Sequence, residues 1–547
     1  MNSAANTCCA WFRSTLGSAL VGSLLLWAAL PPLSLGWLGW IAPVPWLLLV
    51  RADPLPGRRP YRALWLAGFV FWLMAIHWLR LPHPATSLGW LALTAYLACY
   101  LPVFVGLSRV AAHRLRAPLW LAAPVVWTGL ELARAHLLTG FLMASLAHAQ
   151  VNWTSLIQIS DLVGEYGVGF VMMTVAAAVA GVLFPPRRPW ALMPALALLA
   201  AVIGYGHYRL ANANTTNADE EIRTVRVALI QGNSLAEWKA DPSRERQIMD
   251  DYVSLSERAV ALARERGDGR PLDLVVWPET MFRSSLVSFD PDYRLPPETG
   301  RTTEEIAAYG PQDLASLVAR LETPVLVGVE RYYFATAAAT EGDRSPLRYN
   351  SAALVGRDGH IIGTYDKIHR VMFGEYIPFA GRLPCLYRLT PLTGGIEPGV
   401  DPAGLKLDDT VYAPNICYET AIPHVIRRQV AALAGRNESP DVLVNLTNDA
   451  WYWGSSELDM HLACGVFRAV EARHPLVIAA NGGISAWIDH LGRIRAQSPR
   501  QKADVLIADV ELSTMQSRYI QHGDWFAAAC LTCCIALAIV GWRSRQR

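Results

Sequence analysis

Three side chains in the second half of this 547-residue chain each stand just beyond an apolar stretch that reads as a strand. Side chains placed there converge on one edge of a sheet. Glu279 follows Val275-Val276-Trp277-Pro278, Lys367 follows Gly363-Thr364-Tyr365-Asp366, and Cys417 follows Ala413-Pro414-Asn415-Ile416. Taken singly, each has an ordinary explanation: a solvated turn carboxylate, a surface lysine, a packing cysteine. Taken together they supply complementary parts. A lysine beside a thiol favours the thiolate. A carboxylate can take the thiol proton and later serve a second nucleophile, while the ammonium can meet a developing tetrahedral oxyanion. Base, cation and nucleophile suffice for acyl transfer through a thioester, with no metal or soluble cofactor. Of the 9 cysteines, Cys8, Cys9, Cys99, Cys530, Cys533 and Cys534 lie in or beside apolar segments. Cys385 and Cys464 have no activating neighbours, and their presence leaves open either a disulfide among Cys385, Cys417 and Cys464 or a lone reactive thiol. No zinc-type spacing occurs.

The elements that must position these groups alternate. Strands are expected at 225–230, 272–277, 324–333, 351–355, 361–365, 411–416, 442–446 and 476–480. Helices are expected at 244–266, where Ile248, Tyr252, Leu255, Ala259 and Leu262 form one stripe stopped by Gly267, and at 421–434 and 456–473. His461 and His474 are expected on helix surfaces. The order implies a layered α/β domain with an extensive sheet, reached through a polar linker at 211–216.

Upstream, the chain changes character. The composition is 52% hydrophobic and 17% charged, too apolar for a soluble protein of this size, and the net charge of +2 excludes a concentrated basic surface for nucleic acid. The first 208 residues read as about seven back-to-back spans at 14–30, 33–50, 63–80, 87–108, 118–139, 166–185 and 189–207, with an eighth at 525–542. Arg13, Arg51, Arg58, Arg59, Arg62, Arg109, Arg114, Arg116, Arg187, Arg188, Arg543, Arg545 and Arg547 fall on one side. The opposite loops contain no Lys or Arg, Arg80 at the outer end of the third span being the exception. The positive-inside rule then puts both termini in the cytoplasm and the α/β segment outside. The expected divisions are a membrane domain at 1–208, a catalytic domain at 209–524 and a terminal span with a basic tail at 525–547. Glu131 and Arg134, within the fifth span, read either as functional intramembrane charges or as a structural pair three residues apart.

The order Glu–Lys–Cys in Trp277-Pro278-Glu279-Thr280, Tyr365-Asp366-Lys367 and Asn415-Ile416-Cys417-Tyr418-Glu419 resembles the nitrilase superfamily. With the flanking spans the chain resembles, over nearly its whole length, the bacterial apolipoprotein N-acyltransferases. Gly164-Glu165-Tyr166-Gly167-Val168, Phe373-Gly374-Glu375-Tyr376-Ile377-Pro378-Phe379 and Thr447-Asn448-Asp449-Ala450-Trp451 carry the same likeness. The resemblance implies a multi-span helical membrane bundle with an extracytoplasmic α-β-β-α sandwich, in the bacterial inner membrane with its catalytic domain on the periplasmic side. It implies Glu279 as general base, Lys367 as oxyanion stabiliser and Cys417 as acyl carrier. Glu375 matches a second essential carboxylate, Tyr418 and Glu419 match residues beside the nucleophile, and Trp238 matches a required aromatic. The implied acyl donor is a membrane phospholipid and the implied acceptor the α-amino group of a diacylglyceryl-cysteine lipoprotein. Two positions depart from the family: Met372 stands where proline is usual, and Trp453 intervenes between Tyr452 and Gly454. Both bear on substrate preference rather than on the chemistry.

Val371, Met372, Phe373, Ile377, Phe379, Leu383 and Leu386 make an apolar loop region, read as buried core or as contact with lipid. Trp451, Tyr452 and Trp453 read as packing or as anchors at the bilayer interface. Two rival readings accompany acyl transfer: a membrane-tethered nitrilase-type amidohydrolase that delivers the acyl group to water, and a non-catalytic membrane scaffold.

Overall fold

The computed structural model describes residues 14–183, 189–212, 223–238, 241–336, 345–378, 380, 382, 385, 387, 394–513 and 515–543. Arg13, Arg187, Arg188, Arg545, Arg547, Cys8, Cys9 and linker residues 213–216 lie outside them. The chain divides into two compact units. One comprises Met1–Ala218, Ser455–Glu471 and Ser517–Arg547, the other Asp219–Gly454 and Ala472–Gln516.

The first unit is helical. Helices Thr15–Ala29, Pro60–Ala75, Leu119–His136 and Tyr166–Leu183 occupy stretches expected as spans. The stretch at 33–50 is instead a 3₁₀ turn, Gly36–Trp40, followed by the helix Val44–Arg51. Among the described residues, Thr86–Arg114, Tyr166–Leu183, Pro189–Asn212 and Trp525–Arg543 are helical, long and apolar enough to cross a bilayer. Glu131 and Arg134 are both buried, 3.8 Å apart. Arg134 also donates to the Met143 carbonyl at 3.2 Å and lies 5.1 Å from the centre of the Trp72 ring. The helix Glu457–Ala472 joins this unit through a buried ionic cluster: Arg468 lies 3.0 Å from Glu165 and 2.9 Å from Glu471, while Glu471 accepts the Glu165 backbone N–H at 2.7 Å. Charges removed from water persist only when paired in this way.

The second unit is a two-sheet sandwich. Strands β1 (Thr224–Gln231), β2 (Leu274–Val276), β3 (Phe282–Phe289), β4 (Val325–Phe334), β5 (Leu347–Val355) and β6 (Ile361–Asp366) build one sheet. Strands β7 (Leu405–Leu407), β8 (Thr410–Ile416), β9 (Val442–Asn448), β10 (Leu476–Asn481), β11 (Ala486–Ile488) and β12 (Ile494–Gln497) build the other. The last strand, β13 (Asp504–Glu511), returns to the first sheet and pairs antiparallel with β1. Side-chain alternation sorts the cores. On β1, Val227 and Leu229 face a core shared with Leu446 and Val477 of the second sheet, whereas Ala228 and Ile230 face one shared with Tyr252 and Leu314 of the covering helices. Those helices are Pro242–Glu265 and Thr303–Leu321. The helix Pro423–Gly435 packs on β8 of the second sheet and buries Ile426, Val430 and Leu433. The layers are therefore α-β-β-α.

One surface expectation fails. His461 and His474 are 3% and 8% exposed: the helix Glu457–Ala472 that carries His461 is covered on almost every face rather than on one stripe, and His474 lies beyond its end in the buried link to the strand Leu476–Asn481. Without a partner strong enough to hold its charge, the His474 imidazole is pulled down to about 4 by burial.

Candidate active site

β2 runs parallel to β1 and β4, and β8 parallel to β9, so the carboxyl ends of β2, β6 and β8 carry the three singled-out residues. Pro278 stops β2, and Thr280 then takes a left-handed φ of 55°, turning the chain so that Glu279 projects from the strand end. This turn presses on β4. A Cβ on Gly328 would lie 2.4 Å from the Pro278 carbonyl oxygen and 2.6 Å from the Glu279 Cα, so only glycine fits there. Cys417 also sits at positive φ, 52°, between β8 and the 3₁₀ turn Cys417–Ala421. A non-glycine residue in this region is strained and persists only where its surroundings hold it. The Asn445 side chain supplies part of that hold by donating to the Cys417 carbonyl at 3.1 Å.

The structure brings the charged members together. Lys367 is 1% exposed, and its Nζ donates to Glu375 Oε1 at 2.6 Å and lies 3.5 Å from Glu279 Oε1. Glu279 Oε1 accepts from the Asn350 side-chain amide at 2.6 Å, and Oε2 from the Asn448 backbone N–H at 3.0 Å. Glu375 Oε2 accepts from the Val371 N–H at 2.7 Å, tying the loop that follows Lys367 to the lysine itself. Burial acts most strongly on Lys367 and lowers its pKa. The charges of Glu375, Glu279 and Cys417 outweigh that effect and hold the ammonium above its ordinary value. Burial raises Glu279, Lys367 opposes the rise, and Glu375 adds to it.

Cys417 corrects a sequence expectation. Lysine was expected to depress the thiol, and Lys367 does pull it down. Burial, followed by the negative charge of Glu279, wins and pushes the thiol well above its usual range. The resting group is a protonated thiol beside a charged lysine.

Glu419 is a brace rather than a surface charge. Fully buried, it accepts from the N–H groups of Ile368 and His369 at 2.9 Å, from the N–H of Ile416 at 2.7 Å and from the Tyr365 hydroxyl at 2.9 Å. One carboxylate thus fastens the segment after Lys367 to the segment before Cys417. Tyr418 lies with its ring centre 6.2 Å from that of His369. Trp238 lies against Trp451 with ring centres 4.6 Å apart, while Trp453 is 67% exposed. In the apolar loop Phe373 is exposed and at positive φ, and Ile377 is buried; Phe379, Leu383 and Leu386 lie outside the described residues. Cys385 and Cys464 are free thiols, the first exposed and the second buried, so neither forms a disulfide with Cys417.

Sequence reasoning missed Asn350 and Asn445. Each is a buried amide inside a strand, at a position where burial demands a hydrogen-bond partner. That misfit is the only signal either one gives.

Residues 22–178 match the apolipoprotein N-acyltransferase N-terminal domain, and residues 226–519 match the carbon-nitrogen hydrolase domain. The chain is 32% identical to an apolipoprotein N-acyltransferase of Rhodopirellula baltica, over 96% of this chain and 97% of that one. It is 34% identical to an apolipoprotein N-acyltransferase of Geobacter metallireducens over 96% and 95%, and 31% identical to that of Gloeobacter violaceus over 97% and 94%. With both domains matched in order and relatives aligned from end to end, the chain belongs to the apolipoprotein N-acyltransferase family.

Proposed function

We propose that this protein moves an acyl chain from a membrane phospholipid to the α-amino group of a lipoprotein's diacylglyceryl-cysteine, through a thioester on Cys417. The observation that carries this reading is the buried pair Lys367 and Glu279, both acting electrostatically on Cys417, with half-buried Glu375 holding the lysine, in a chain of this family. In the first step Glu279 takes the thiol proton as sulfur attacks the ester carbonyl. Moving the proton from Cys417 to Glu279 leaves the net charge of the cluster unchanged, so no new buried charge is created. Lys367 stabilises the oxyanion. The ester C–O bond breaks, the proton passes from Glu279 to the departing alkoxide, and lysophospholipid leaves. In the second step the amine attacks the thioester, Glu279 accepts an amine proton, the C–S bond breaks and the proton returns to sulfur. Glu375 holds the ammonium in place throughout, and the Trp238–Trp451 pair and exposed Phe373 contact the lipid substrates.

The test is discharge of the acyl-enzyme. Purified full-length protein incubated with phospholipid will carry an acyl mass on the Cys417 peptide that persists in water. It will lose that mass within minutes of adding a lipopeptide with a free α-amine, whose pKa of about 8 leaves part of it neutral, and not on adding the N-blocked lipopeptide. Equal decay with and without amine, releasing fatty acid, would make the protein a hydrolase. Absence of any adduct would leave a scaffold.

For a bacterial membrane protein the arginine distribution supports cytoplasmic termini and a catalytic unit on the periplasmic side. A reporter inserted near residue 300 will be active only outside the inner membrane, and one fused after Arg547 only inside. The same compartment for both overturns this topology.

A further inference from the structure

Thr447 has no role in the chemistry above, yet the fold sets it beside the reacting sulfur. The parallel strands β8 and β9 pair Asn415 with Asn445 and Ile416 with Leu446, so the next step along the ladder puts Cys417 opposite Thr447. Side chains two apart on a strand share a face, and these two of β9 both turn to Cys417. Asn445 donates to its carbonyl at 3.1 Å, and the Thr447 hydroxyl hydrogen-bonds its sulfur. Thr447 is fully buried, and its hydroxyl also donates to Asp449 Oδ1 at 2.6 Å. Asp449 opens the 3₁₀ turn Asp449–Tyr452 and is itself buried. Gly483 makes room for its carboxylate, since a Cβ there would lie 2.4 Å from Asp449 Oδ2. One hydroxyl therefore stands between a sulfur and a carboxylate.

A hydroxyl has a single proton to donate. While the sulfur is a neutral thiol it is a weak acceptor, and the carboxylate takes that proton. Once Glu279 has removed the thiol proton, the sulfur is an anion and becomes the better claimant. Hydrogen bonds to ionised groups are roughly twice as strong as neutral ones. In the thioester the sulfur is neutral again, and the hydroxyl goes back to Asp449. When the amine displaces it, the sulfur leaves as a thiolate and the hydroxyl turns to it once more. An interaction made only in the charged stages lowers both barriers without stabilising the states between them. The surroundings of the thiol agree in sign. Burial and then Glu279 push it up, Asp449 adds to the rise, and Lys367 and the Thr447 hydrogen bond pull it down. We propose that Thr447 is a further catalytic residue, whose hydroxyl swings from Asp449 to the Cys417 sulfur whenever that sulfur carries negative charge. Thr447 keeps its own proton throughout, and the thiol proton still travels to Glu279 and back. This role rests on Cys417 being the acyl carrier proposed above.

The experiment reads the sulfur both with and without the transfer reaction. Cys417 is half-buried and open to a small reagent, and the thiolate is the form that is alkylated. Iodoacetamide labelling of the Cys417 peptide in the full-length protein, timed by mass spectrometry, therefore follows the thiolate directly. Thr447→Val keeps the shape without the hydroxyl, and will slow labelling, acylation by phospholipid and discharge by lipopeptide by about tenfold each. Thr447→Ala also lacks the hydroxyl and carries the test should Thr447→Val not fold. Thr447→Ser keeps the hydroxyl and will stay close to wild type in all three rates. Asp449→Asn removes a negative charge near the sulfur and will speed labelling, the opposite sign. If the Thr447–Asp449 bond only braced the turn, losing either partner would move labelling the same way, and that result overturns the role. So do wild-type rates in Thr447→Val, or equal losses in Thr447→Val and Thr447→Ser. Labelling in the expected order by a protein that forms no acyl adduct would keep the hydrogen bond but overturn the thioester reading, and the catalytic role with it.

Discussion

Cys417→Ala will carry no acyl group after exposure to phospholipid and will transfer none, a loss on the order of 10⁴-fold or more. The fold will survive it. Cysteine, alanine and serine all bear a Cβ, so each tolerates the φ of 52° at position 417 equally badly, and the surroundings that hold the strain remain. Cys417→Ser will fail almost as completely. Its hydroxyl is far less acidic than a thiol, and burial next to Glu279 already pushes even the thiol upward. Cys385→Ala will acylate normally because that thiol is exposed and free. Cys464→Ala will also acylate, at a cost of about 1 kcal/mol for the small cavity left at a buried site. Intact-protein mass spectrometry of the four variants decides the matter, and an adduct persisting in Cys417→Ala would move the nucleophile to another residue.

How much of this site was legible in the sequence depended on where each residue stands along its strand. Glu279, Lys367 and Cys417 could be picked out because each interrupts an apolar run at its end, and strand ends are where a sheet gathers polar groups. Their supports were hidden for the opposite reason: Asn350 and Asn445 sit inside strands, where a polar letter does not say what it binds. The eight strands expected from apolar runs all exist, though β2 is confined to Leu274–Val276, β5 starts already at Leu347 and β9 runs on to Asn448. Those missed have weak patterns. β3 reads Phe-Arg-Ser-Ser-Leu-Val-Ser-Phe and buries only Phe282 and Leu286, so it looks like a polar loop. The helix Thr303–Leu321 contains Gly310 and Pro311, ordinarily breakers, yet starts on a complete capping box from Thr302 to Glu305 and continues through them. β13 is distant in sequence from its partner β1, so its pairing is a tertiary fact that local periodicity does not contain. The direction of the Cys417 shift was misjudged for a similar reason. Sequence supplied the lysine, but how deeply the sulfur is buried and how close Glu279 lies are set only by folding.

Glu279→Gln will slow acylation of Cys417 by roughly 10²–10⁴-fold, the usual worth of a positioned general base, while leaving the protein folded. The carboxylate receives two hydrogen bonds, from the Asn350 amide and the Asn448 N–H, and faces the Lys367 ammonium at 3.5 Å. Glutamine keeps the shape but offers one acceptor oxygen, so its NH₂ must face a donor and local order will loosen slightly. Glu375 still pairs with Lys367 at 2.6 Å, so the lysine does not become an unpaired buried charge. The kinetic loss has a separate signature in pH. Burial raises the Glu279 pKa, and only the ionised carboxylate can take the thiol proton. Single-turnover acylation by wild type will therefore rise with pH through a limb lying above the ordinary carboxylate value of about 4.3. Below that limb Glu279 is protonated and the thiol has nowhere to send its proton. Glu279→Gln has no group to titrate there, so its residual rate will not follow that limb. A merely structural glutamate would lower the rate without removing the limb. If the variant keeps both the wild-type rate and the acid limb, the base is another residue, and Glu375→Gln becomes the variant that must then lose them.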